Sequence, residues 1–85
     1  MYEEIKQNLI KKFLAKYYLW TFCSNKANII ADMNDKSPFD ITPSKDCNSI
    51  EMDLGNAIII KFNLKWEEKK FANSDTFGYR LIEIN

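Results

Sequence analysis

From Ile58 to Trp66 the chain alternates between two kinds of side chain: Ile58, Ile60, Phe62, Leu64 and Trp66 interleave with Ile59, Lys61, Asn63 and Lys65. Successive side chains of a strand point to opposite faces, so a period of two predicts a strand with one apolar and one polar face. A half-buried sheet is therefore the centre of the fold. The rest of the chain has to roof its apolar side.

Two further runs extend that sheet. Ile50, Met52 and Leu54 alternate with Glu51 and Asp53, and Gly55-Asn56 then breaks the run. A two-residue Gly55-Asn56 loop would set Met52 opposite Ile59 and turn Ile58 and Ile60 toward the face of Glu51 and Asp53. An odd loop, Gly55 to Ala57, instead aligns Leu54 with Ile58 and Met52 with Ile60, and it is the one expected, unless a bulge serves the same end. A connection through Glu67, Glu68, Lys69, Lys70 and Asn73-Ser74-Asp75 leads to a last strand, Phe77 to Ile84. The expectation is a three-stranded antiparallel meander.

The roof is legible at the other end of the chain. From Tyr2 to about Phe22, Ile5, Leu9, Ile10, Phe13, Leu14, Tyr17 and Trp20 recur at helical spacing. Glu3 and Glu4 sit in the first turn, where the helix dipole favours negative charge, and Lys11, Lys12 and Lys16 follow. Tyr18, Leu19 and Phe22 add apolar groups on the other face, so the last turn needs cover on more than one side. Between Asn25 and Asn48 there is little periodicity; Ile29, Ile30 and Met33 suggest a short second helix, and Ser37-Pro38 and Thr42-Pro43 an irregular surface connection.

Eighty-five residues make one α+β domain, 1–85, with one modest core. Twelve basic and twelve acidic side chains cancel, so the overall positive field of a nonspecific nucleic-acid binder is absent. Eleven Lys stand against the single Arg80, which argues against bidentate base readout. Eleven Ile, nine Asn and no Val or His reflect A/T-rich codons more than fold. The opening MYEEIKQ has no basic-then-apolar leader, and Ala57 to Ile60 is far short of the roughly 20 apolar residues of a membrane span. A reduced, soluble, cytoplasmic protein is expected.

Catalytic and metal chemistry find no foothold. With no histidine, the usual triads and most zinc sites are excluded. Cys23, in an aromatic stretch, reads as a small buried hydrophobe, and Cys47, in a polar loop beside Asp46, as more accessible but without an activating base. Asp32 to Ser37 superficially follows a calcium loop, but Lys36 falls where an oxygen ligand belongs, Ser37 where the turn requires Gly, and Pro43 where the closing Glu belongs. Gly55 and Gly78 are the only glycines, so there is no phosphate loop. No cofactor, metal or enzymatic activity is expected.

Binding remains. Lys61, Lys65, Lys69 and Phe71 would offer amines and an aromatic platform to single-stranded nucleic acid, although alternate lysines are also what a plain solvent face carries. The second surface is acidic: residues 32 to 54 hold six acids against Lys36 and Lys45. Asp32, Asp35, Asp40, Asp46, Glu51 and Asp53, with Phe39 as an apolar anchor, form the expected contact set for a basic partner surface.

Small size, one compact α+β unit, no catalytic chemistry and an acid-rich segment make the whole chain resemble, in organisation, phage-encoded anti-defence proteins, including anti-CRISPR inhibitors. The resemblance implies stoichiometric inhibition of a larger nuclease complex by occluding its nucleic-acid-binding surface, and carries over no residue roles. The reading is a non-enzymatic protein-binding module; the alternatives are a small nucleic-acid binder, or a subunit of a larger assembly or homodimer suggested by the apolar turn Tyr17 to Cys23.

Overall fold

The computed structural model describes residues 2–19, 21–72 and 75–85. Trp20 of the expected helix and Asn73-Ser74 of the expected connection lie outside the described residues. Two helical segments and four antiparallel strands follow one another: α1 (Tyr2–Leu9), α2 (Lys26–Lys36), β1 (Asp40–Pro43), β2 (Ser49–Asp53), β3 (Ile59–Lys70) and β4 (Phe77–Ile84). The α+β class and the antiparallel sheet agree with the sequence reading; the strand count does not, since the sheet runs β1-β2-β3-β4 and has four strands rather than three.

β1 was hidden because it is short and carries Pro43, which cannot donate to a ladder. An edge strand tolerates both features. Ile41 is its one buried side chain, and its outward N–H donates to Asn34 Oδ1 of α2 at 2.8 Å, so the edge is closed by a side chain on one residue and by proline on another.

The apolar face is continuous across the sheet. Ile41, Met52 and Ile60 stand in one row, Ile50 and Phe62 in the next, then Leu64 with Ile84 and Trp66 with Leu81. Leu81 and Ile84 are both buried although an odd spacing would place them on opposite faces. A bulge resolves this: Lys65 faces Glu83 but Trp66 faces Leu81, leaving Ile82 as the extra residue, 43% exposed. The expected odd loop is present. Met52 pairs with Ile60, Leu54 N–H donates to Ile58 at 2.9 Å, and Gly55, Asn56 and Ala57 all have positive φ. Ile58 departs from expectation, because the strand begins at Ile59 and Ile58 lies on the turn, 48% exposed.

Helical winding continues from α1 through a widened π segment, Ile10–Leu14, closed by Ala15 N–H to the Ile10 carbonyl, and a tight 3₁₀ segment, Ala15–Leu19. Along this stretch Leu9, Ile10, Leu14 and Tyr17 are buried in the core with the sheet residues. Ile5 stays 40% exposed. Winding stops before the expected Phe22; Cys23 instead forms a two-bond backbone bridge with Tyr79, and Tyr18 Oη accepts from Ile84 N–H, so this segment closes the outer edge of β4. α2 is capped by Asn25, whose side chain accepts from Ala27 N–H, and buries Ile29, Ile30 and Met33. The suggested second helix is thus real.

Candidate functional site

β3 spans 12 residues, about 40 Å, in a molecule 49 Å long. Its first half pairs with β2 and its second half with β4. The helices cover one sheet face, and the other carries the charged alternate positions.

At the β1–β2 end of that outer face, cross-strand rows read Asp40–Asp53–Ile59 and Thr42–Glu51–Lys61. Asp40 and Asp53 are direct register partners and both exposed, an arrangement that opposes like charges at close range. Asp53 Oδ1 accepts from Gly55 N–H at 2.8 Å, which helps hold the left-handed turn. Among the described residues, neither aspartate takes part in an ion pair. Beside them, Ile58 and Ile59 are 48% and 54% exposed. The alternation placed Ile58 in the core and gave Ile59 no role. By parity the odd loop keeps Ile58 on the side of Ile60, but the ladder begins only at Ile59, so Ile58 lies on the turn and stays exposed.

The expected contact set divides in three. Asp40, Glu51 and Asp53 share the outer face. Asp32 and Asp35 belong to α2, in the helix layer behind it. Asp32 is committed locally: it accepts from Tyr17 Oη at 3.0 Å and pairs with Lys36 at 3.1 Å, and the Lys36 hydrogen bond leads in holding its carboxyl below the usual range. Burial, followed by the bond to Asp32, pushes the Tyr17 phenol far up. Asp46 lies in the β1–β2 turn, where the Asn48 N–H and the Ser44 hydroxyl lower its pKa, so it too has a structural task. Phe39 is half-buried and meets Phe13 edge-to-face at 6.2 Å; it forms a wall more than a projecting anchor.

The alternative set is also placed together. Lys61, Lys65 and Lys69 share the outer face of β3, and Phe71 leans on Gly78, where an added Cβ would meet its ring at 2.7 Å. Their charge is largely answered. Lys61 faces Glu51, Lys65 faces Glu83, and Arg80 pairs with Glu67 at 2.6 Å. The Lys69 amine and Arg80 guanidinium both lie over the Phe22 ring, at 5.6 and 5.1 Å.

Cys23 and Cys47 are both free and half-buried; Cys47 packs against the core and is less accessible than its polar loop suggested, and its carbonyl accepts from the Trp66 indole at 2.9 Å. Among the described residues, no three Asp, Glu or Cys side chains cluster as metal ligands, and no helix is long and apolar enough to cross a membrane. No family of known proteins matches the chain, and no curated protein or solved structure matches it either.

Proposed function

We propose that this chain is a non-enzymatic protein-binding module that docks the acidic end of its sheet, Asp40, Glu51 and Asp53, on a basic surface of a larger protein or nucleoprotein complex. The observation that supports the reading is the direct opposition of Asp40 and Asp53. Like charges facing across a ladder destabilise a sheet by a few tenths of a kcal/mol to about 1 kcal/mol, and among the described residues no ion pair offsets them. The positive charge of a basic partner would replace that local repulsion by attraction, and would steer encounter as well. Where the basic surface normally holds nucleic acid, docking excludes it, and this is the inhibition expected of an anti-defence protein of the anti-CRISPR kind.

The test is competition on guide-loaded CRISPR nuclease complexes. The chain should block target DNA binding at one equivalent per complex, and the Asp40→Lys/Asp53→Lys double variant should lose at least tenfold in potency. Retained potency in that variant, with its fold intact, contradicts the acidic docking surface.

A further inference from the structure

Resting on the proposed acidic docking surface, the geometry points to the side chain that such a partner inserts. Between α1 and the start of β1 an apolar groove of about 290 Å³ is lined by Ile5, Asn8, Leu9, Lys12, Phe13 and Phe39. That is the small end of the range for ligand pockets, too small for a folded element and sufficient for one bulky apolar side chain. Its shape is set by the edge-to-face pair Phe13–Phe39, and its mouth by Ile5, which the α1 winding leaves exposed.

What surrounds the groove decides its occupant. Phe39 is shared with a neighbouring concavity that contains Asp40 and Asp53, and Asn8 with one that contains Glu3 and Glu4. Acid therefore flanks the apolar slot at both ends, against Lys12 on its wall. The fitting ligand is a segment of a partner protein with one bulky apolar side chain set between cations: lysines or arginines meet Glu3/Glu4 and Asp40/Asp53 while the apolar group fills the slot. An apolar centre with a charged rim is the usual anatomy of an interface hot spot. It also gives Phe39 a role, as the receiving wall.

Two capped peptides test this, Lys-Lys-Phe-Lys-Lys and Lys-Lys-Ser-Lys-Lys, titrated into the folded protein by calorimetry at low salt with amide shifts followed in parallel. The Phe peptide should bind about tenfold more tightly or better. Its extra shifts should centre on Phe13 and Phe39, and Ile5→Asn, at an exposed position, should remove most of its advantage while leaving the Ser peptide unchanged. Equal affinity for the two peptides overturns the groove and leaves the acidic surface standing. Equal binding of Glu-Glu-Phe-Glu-Glu overturns the choice of a basic partner, and absence of binding by either lysine peptide overturns both proposals.

Discussion

The two halves of the outer sheet face are built alike and charged differently. Along the β3–β4 ribbon opposite charges face each other across the ladder at two places, Lys65 with Glu83 and Arg80 with Glu67, and Phe22 lies beneath Lys69 and Arg80. At the β1–β2 end Asp40 meets Asp53, and Ile58 and Ile59 stand in water. One half is arranged for its own stability. The other carries both repulsion and exposed apolar surface.

The largest expected contrast between the halves lies beneath the face. Phe62, fully buried under the helices, should cost about 3–5 kcal/mol on replacement by Ala, whereas Phe71→Ala on the half-exposed ribbon should cost no more than about 1 kcal/mol; urea unfolding measures both. Similar costs would erase the distinction between a packed end and a ribbon. Gly78→Ala comes next, since its Cβ would meet the Phe71 ring at 2.7 Å and Phe22 Cβ at 3.0 Å, and a loss of about 1–2 kcal/mol is expected. Stability unchanged in that variant would show that the ribbon aromatics yield freely.

The charge contrast is smaller and opposite in sign. Asp40→Lys should stabilise the fold by up to about 1 kcal/mol by turning a repulsive pair into an attractive one, while Glu83→Lys, placed opposite Lys65, should destabilise it by a similar amount. Matching signs would break the comparison.

The helix layer supplies two pH signatures. The Asp32 carboxyl is held low by Lys36, so its stabilising effect is present above the ordinary carboxylate range and is lost as pH falls through the depressed value; Asp32→Asn should flatten that acid limb. Tyr17 is raised, so its contribution is intact below about pH 10 and declines as pH climbs from there, because the unfolded phenol ionises first. Tyr17→Phe should therefore lose less stability between neutral and strongly alkaline pH than the parent, as read by pH-dependent unfolding.

Period and parity carried most of the fold into the sequence. Ile60, Phe62 and Leu64 face inward as alternation requires, and the odd loop follows from keeping Met52 on their side. What escaped were features with no period of their own. β1 is four residues with one buried side chain, the β4 bulge shows only in the paired burial of Leu81 and Ile84, and the π segment after α1 interrupts a stripe that still looks helical, at whose start Ile5 stays exposed. For the candidate site, spacing along the chain could not tell which acids share a face. Asp40, Glu51 and Asp53 meet through strand pairing at a distance in sequence, whereas Asp32 is taken by Tyr17 and Lys36 and Asp46 by its own turn. Ile58 was misplaced because the alternating pattern runs one residue past the start of the ladder.

The central claim, that the β1–β2 end of the outer face is a docking surface for a basic partner, is most directly tested by following backbone amide shifts while Lys-Lys-Ser-Lys-Lys is added at low salt. The account predicts saturable shifts centred on Asp40, Glu51 and Asp53 that fade as salt rises. Shifts centred on Asp32, Asp35 and Asp46 instead, or none at all, would contradict it.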